Sequence, residues 1–232
     1  DSLFKQPKPY LSIVDALATK KVGMTRTEIL QATKLTDNGK LTEYLENLEY
    51  CGFIRKYNCI GMKAKNALFQ LMDNYTLFYY KFIKDSYIND AQYWTKITGK
   101  PEYNTWCGLA FERVCLQHVE QIKAKLGIQG VITTVYSWSV AGSKDKPGAQ
   151  IDLLIDRSDD VINLCEIKYS KALFQITHTI DASLQNKRER FIQETGTEKA
   201  VHLTMITTMG LSDNPYAWDV QSVVTMDDLF VL

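Results

Sequence analysis

Two acidic residues and a lysine stand out for the chemistry their spacing permits. Asp152 lies in Gln150-Ile-Asp-Leu-Leu-Ile155, and 13 residues separate it from the triplet Glu166-Ile-Lys168. In an extended strand residues two apart share a face, so Glu166 and Lys168 project together, as do Gln150 and Asp152, with Ile151, Leu153 and Ile155 opposite. If the two strands pair as a hairpin, Asp152 and Glu166 stand side by side. Neighbouring carboxylates repel unless a cation lies between them, and an oxygen donor set suits Mg²⁺ or Mn²⁺ rather than zinc. A lysine beside them can stabilise developing negative charge or help orient an attacking water.

The elements that must hold these residues can be read from periodicity. From Trp106 to Leu126, apolar residues recur three or four apart (Phe111, Cys115, Val119, Ile122, Leu126), which predicts one helix stopped at Gly127. The β-branched and aromatic run Val131–Val140 predicts a strand. A turn at Ser143-Lys-Asp-Lys-Pro-Gly148 leads to the strand of Asp152, and one at Ser158-Asp-Asp160 to Val161–Lys168. A helix over 178–194, ended by Gly196, and a strand at Ala200–Thr207 follow. The tail carries Val223-Val224 and Leu229-Phe230. The order is α-β-β-β-α-β, a small sheet flanked by helices. Glu112 falls on the first helix, and Gln185 and Lys187 on the later one.

This combination resembles the PD-(D/E)XK nuclease superfamily across residues 105–210. Its signature is a helix glutamate, a strand aspartate, and an acidic-x-lysine triplet on the adjoining strand. Glu112 in Gly108-Leu-Ala-Phe-Glu112 takes the first place, Asp152 the second, and Glu166 with Lys168 the third. Lys187, Gln185 and Gln150 take supporting places near the site. The resemblance implies catalysis by Asp152, Glu166, Lys168, Glu112, Lys187 and Gln150. Asp152 and Glu166 would hold Mg²⁺ or Mn²⁺, with the carbonyl of Ile167 and help from Glu112.

The first sixty residues predict three short helices and a hairpin. Leu11, Val14, Leu17 and Ala18 make one helical face. Thr25-Arg-Thr-Glu28 has capping-box spacing, and Leu41, Leu45 and Leu48 follow the polar break Thr36-Asp-Asn-Gly39. After Gly52, Phe53-Ile54 and Cys59-Ile60 are the expected strands of a wing, which completes a winged helix-turn-helix. Glu43, Glu46 and Glu49 on the third helix repel phosphate, leaving Lys40, Arg55 and Lys56 as its cationic neighbours. An aromatic stretch from Phe69 to Trp94, including Tyr75, Phe78, Tyr79, Tyr80, Phe82 and Tyr87, predicts a helical connector whose rings pack rather than stack bases. The expected division is 1–61, a winged helix-turn-helix; 62–104, the aromatic connector; and 105–232, the nuclease-like domain, joined near Gly99-Lys-Pro101.

The whole succession, with Phe69-Gln-Leu-Met-Asp73-Asn-Tyr-Thr-Leu-Phe78-Tyr-Tyr-Lys-Phe82 between the two modules, is similar to the C-terminal part of archaeal-type P-loop ATPases that also occur in bacteria. The chain holds no G-x-x-x-x-G-K-[ST] loop; Gly39-Lys40 lacks the rest of it. The resemblance therefore implies that ATP would act only through an ATPase domain upstream, which would also be a partner. The absence of an initial methionine agrees with a piece of a longer polypeptide.

Composition narrows the classes further. The 232 residues carry 27 basic and 27 acidic side chains and 45% hydrophobic residues, which describes an ordinary globular chain, and the order of elements makes its expected class α/β (α+β). Residues 1–60 carry 9 basic and 7 acidic groups, and 106–232 carry 12 and 16, so charge gives no general support to DNA binding. Five scattered cysteines (Cys51, Cys59, Cys107, Cys115, Cys165) without C-x-x-C, and three separated histidines, argue against a disulfide framework and a zinc ribbon. No long apolar run suits a membrane span, and a reduced, cytoplasmic setting is expected. The readings that follow are a metal-dependent DNA nuclease, a non-catalytic DNA-binding or regulatory module of the ATPase, and a protein-binding adaptor.

Overall fold

The computed structural model describes residues 4–60, 66–84, 90–144 and 146–231, which form two compact units divided between Tyr93 and Trp94. The expected boundary at 61/62, Tyr87 of the aromatic stretch and Asp145 of the turn before the Asp152 strand lie outside the described residues. The fold is mixed α and β, with one sheet in each unit. Among the described residues, no helix is long and apolar enough to cross a membrane.

In the first unit the order is α1 (Pro7–Ala18), β1 (Met24–Thr25), α2 (Arg26–Thr33), α3 (Gly39–Tyr50), β2 (Ile54–Tyr57), β3 (Leu68–Leu71) and α4 (Asn74–Phe78). The capping box forms: the Thr25 hydroxyl accepts from the Glu28 backbone N–H, and the Glu28 carboxylate accepts from that of Thr25. Asn38 caps α3 with its side-chain oxygen, which accepts from the Lys40 and Leu41 backbone N–H groups. Apolar faces at helical spacing bury Ile13, Leu17, Ile29, Leu41 and Leu48 together.

The sheet differs from the expected hairpin. Its order is β1-β3-β2, antiparallel throughout, with Ile54 opposite Leu71 rather than a residue near Cys59. Leu68–Leu71 takes the inner place because it has more apolar surface to bury; Phe69, Gln70 and Leu71 are all buried. Buried Gln70 is satisfied by the Arg55 Nε–H at 2.8 Å and by donating to the Lys21 carbonyl at 2.7 Å. A Cβ on Gly23, at φ +85°, would stand 2.3 Å from the Phe69 carbonyl, so this close approach of β1 to β3 requires glycine.

The aromatic stretch is therefore no separate body: Phe69 is a strand residue of the first unit, whereas α5 (Tyr93–Ile97) begins at the division. Phe82 is buried as expected, but Tyr79 is 40% exposed. The turn containing both is π-helical, closed by Lys84 N–H to the Tyr79 carbonyl at 2.8 Å. A wider turn moves residues three apart off a common face.

The second unit runs α6 (Pro101–Gln117), α7 (Val119–Lys125), β4 (Thr133–Val140), β5 (Ala149–Arg157), β6 (Val161–Lys168), α8 (His178–Thr195), β7 (Ala200–Thr207) and β8 (Ser222–Thr225). The sheet order is β4-β5-β6-β7-β8. The first three strands are antiparallel, and β7 and β8 add parallel to β6. The helix expected over 106–126 is broken at His118. Its ring Nδ1 donates to the Val114 carbonyl at 2.7 Å, the acceptor a continuing helix would offer to the His118 N–H, which turns to Cys115 instead. Helix α6 packs against β6, and α8 against β5 and β7. Both faces of β6 are thus covered, and Ile162 through Glu166 are all buried.

Candidate active site in the second unit

The central strand β6 delivers Glu166 and Lys168 near its end, two residues apart and joined by an ion pair of 2.8 Å from Lys168 Nζ to Glu166 Oε1. Lys187 reaches the other oxygen from α8, Nζ to Oε2 at 2.6 Å. The Glu166 side chain is only 10% exposed, so each carboxylate oxygen has exchanged water for an ammonium.

Asp152 enters from β5 at an irregularity. Tyr136 pairs with Leu154 and Trp138 with Ile151, so Ser137 alone faces both Asp152 and Leu153. This is a β-bulge, and it interrupts the alternation assumed for 150–155: Leu153, Leu154 and Ile155 are all buried in succession. Toward β6 the last pair is Leu153 with Cys165, and that register carried one step further sets Asp152 across from Glu166. Gln150 shares a side with Asp152, as expected, and donates from Nε2 to Oδ1 at 2.6 Å.

Glu112 lies buried on α6, beside equally buried Arg113. The Arg113 guanidinium donates to the Leu109 carbonyl at 2.9 Å. Burial lowers its pKa from the ordinary value, opposed by the charges of Glu112 and Asp152. Burial also pushes up the Cys115 thiol, and the Glu112 charge adds to that effect. Glu112 is therefore a buried carboxylate next to an opposite charge, that of Arg113.

The candidate residues thus form one ion-paired group, Glu166 with Lys168 and Lys187, and one hydrogen-bonded pair, Asp152 with Gln150, while Glu112 and Arg113 lie buried on α6. Gln185 belongs to neither: its Nε2 donates to Asp219 at 3.0 Å and to Asp181 at 3.2 Å. Arg113 was missed from sequence. Its signal was a charged pair, Glu112-Arg113, set between Phe111 and Cys115 on an otherwise apolar helix face.

Among the described residues, no group of three or more histidine, cysteine, aspartate or glutamate side chains is placed to hold a metal ion. Asp152, Glu166 and Glu112 do not make a three-carboxylate cage. The donor chemistry fits a smaller demand, since Mg²⁺ is commonly held by one or two carboxylates and completes its shell with water and phosphate oxygens. Asp152 and Glu166 stand on adjacent strands, with both Glu166 oxygens held by lysines, and Glu112 lies beside Arg113 on α6.

The acidic face expected on α3 is present: Glu43, Glu46 and Glu49 are exposed, and Arg55 lies over the Tyr57 ring at 4.3 Å. No protein-family model, curated protein or solved structure matches the chain.

Proposed function

We propose that the second unit is a phosphodiesterase domain of the PD-(D/E)XK nuclease kind acting on DNA, that the first is a winged helix-turn-helix, and that together they form the C-terminal part of a P-loop ATPase. The observation that carries this reading is buried Glu166 held between Lys168 and Lys187, one register step from Asp152 at a strand bulge. The order α-β-β-β-α-β around these residues supports it.

In this reading Asp152 and Glu166 hold Mg²⁺ or Mn²⁺, which when bound polarises the scissile phosphate and acidifies an attacking water. Gln150 orients Asp152 by donating to Oδ1. Lys168 and Lys187, drawn from Glu166 toward phosphate oxygens, stabilise the charge that builds on them. The bare site is formally neutral, because Glu112, Asp152 and Glu166 are matched by Arg113, Lys168 and Lys187. A divalent cation makes it positive and attractive to DNA.

The test is incubation of plasmid, single-stranded and branched DNA with the chain in Mg²⁺ or Mn²⁺, compared with Asp152→Asn and Glu166→Gln. Metal-dependent cleavage lost in both variants, with circular dichroism unchanged, supports the proposal. Cleavage that survives Asp152→Asn undiminished rejects it. The full charge compensation of Glu166 favours a second reading, a DNA-binding or regulatory module without turnover. DNA binding without cleavage by any metal-loaded form decides for that one.

A further inference from the structure

The two edges of the second unit's sheet are built differently. At one edge β8 has only four residues, with Asp219 shortly before it and Asp227 and Asp228 shortly after. A short edge flanked by charge is a common protection against pairing with another chain. At the other edge β4 has eight residues, six of them β-branched or aromatic and suited to a strand. It lies within Leu126–Ser143, 18 residues without a charged side chain or a proline in a chain that is 23% charged. The extra residue of the bulge belongs to β5, so β4 itself runs without an insertion. Thr134 and Ser139 are exposed, and Ile132, just ahead of the strand, is 81% exposed. Among the described residues no strand lies beyond β4, and alternate residues of an antiparallel edge turn N–H and C=O outward.

We propose that β4 is the seam of a homodimer, pairing antiparallel with β4 of a second copy across a twofold axis and joining two five-stranded sheets into one. The proposal stands apart from the reading of this unit as a nuclease. Main-chain hydrogen bonds along the seam supply the affinity, as in other strand additions. Charge favours a second copy as the occupant. The chain's formal net charge is zero, so two copies approach without net repulsion. A strand without charge meets itself without setting like charges opposite one another. The two ends of the β4–β5 hairpin also differ in sign. Beyond the Val140–Ala149 pair, Ser143–Gly148 carries two lysines and one aspartate; at the Thr133–Arg157 end, Arg157–Asp160 carries one arginine and two aspartates. Antiparallel pairing brings the positive end of each copy toward the negative end of the other, whereas parallel pairing sets like against like.

The experiment is sedimentation equilibrium of the whole chain over a dilution series, with amide hydrogen exchange of residues 133–140 read at each concentration. A dimer is expected, with the outward amides of β4 protected in it and losing that protection on dilution. Thr134→Lys combined with Ser139→Lys places charge at two exposed positions of the seam. This variant is expected to keep the circular dichroism of the wild type and to weaken the dimer at least about tenfold. Mixed with the variant carrying Thr134→Asp and Ser139→Asp, it is expected to regain dimer, which an interface elsewhere on the molecule would not produce. A wild-type chain that stays monomeric at about 100 µM overturns the proposal, and so does a dimer that the two lysines leave intact. If the lysine variant does not fold, wild-type exchange decides: outward β4 amides that exchange alike above and below the dissociation range overturn the seam.

Discussion

Lys187 on α8 and Glu166 on β6, 21 residues apart in sequence, meet at 2.6 Å between Nζ and Oε2. The pair ties the helix that follows the central strand to that strand's buried carboxylate. Lys168 holds the other oxygen at 2.8 Å, so Glu166 is shared by a more buried lysine and a more exposed one, at 19% and 40%.

That asymmetry sets an order of stability effects. Lys187→Met is expected to cost about 1–2 kcal/mol, the usual range for leaving a buried hydrogen-bonding group half-satisfied. Lys168→Met, on the exposed side, is expected to cost at most about 1 kcal/mol. The double variant leaves a buried carboxylate uncompensated and is expected to lose about 3–5 kcal/mol, more than the single losses combined. Adding Glu166→Gln to the double variant should restore part of that loss. Urea unfolding of the five proteins checks the series.

The roles proposed for the lysine and the carboxylates separate under mutation. Lys168→Ala is expected to abolish cleavage yet keep Mn²⁺ affinity within about threefold of wild type, since an ammonium is no ligand. Asp152→Asn is expected to lose both. DNA binding is expected to weaken with salt along a shallow slope, because few basic groups are available to phosphates. Single-turnover cleavage, Mn²⁺ titration and binding over a salt series measure the three.

In the first unit, Glu28 gives a stability effect with a definite pH window. A hydrogen bond from Lys20, then one from the Thr25 backbone N–H, hold its carboxyl below the usual value of 4.5 against a smaller opposing effect of burial. The unfolded chain therefore takes up the proton first as pH falls. Stability from Glu28 is present above the unfolded value and is lost as pH drops through the native one. Glu28→Gln is expected to destabilise this unit by about 0.5–1 kcal/mol at neutral pH. Its unfolding should converge on that of the wild type once pH has fallen below the native value.

Thiol reactivity reports the core of the second unit. Burial pushes the Cys165 thiol up, with the neighbouring Cys115 adding to it, and burial likewise raises Cys115. In the native protein, exposed Cys51 is expected to alkylate fast, whereas Cys115 and Cys165 react only on unfolding. Mass spectrometry after timed iodoacetamide treatment gives the order. Fast labelling of Cys165 in the folded state contradicts the packing of α6 on β6.

Local chemistry by itself determined most of the elements. The Thr25–Glu28 spacing, the asparagine before Gly39 and the glycine after Thr195 make their caps because these depend on residues within one helical turn. Strand β6 and the sharing of one side by Glu166 and Lys168 follow from a period-two pattern that no distant residue alters. Tertiary structure decided what distant residues compete for. Leu68–Leu71 displaced Cys59-Ile60 in the first sheet because apolar burial selects among candidate strands. The bulge at Asp152 arose where β5 met β4 out of step, although the unbroken run Leu153-Leu154-Ile155 already departed from alternation. The choice of partner was equally non-local: Glu166 gained Lys187 from α8, and Gln185 turned to Asp219. Sequence spacing orders side chains along one element. Which opposite charge a buried carboxylate faces depends on how the elements pack, because removal from water makes every nearby charge count.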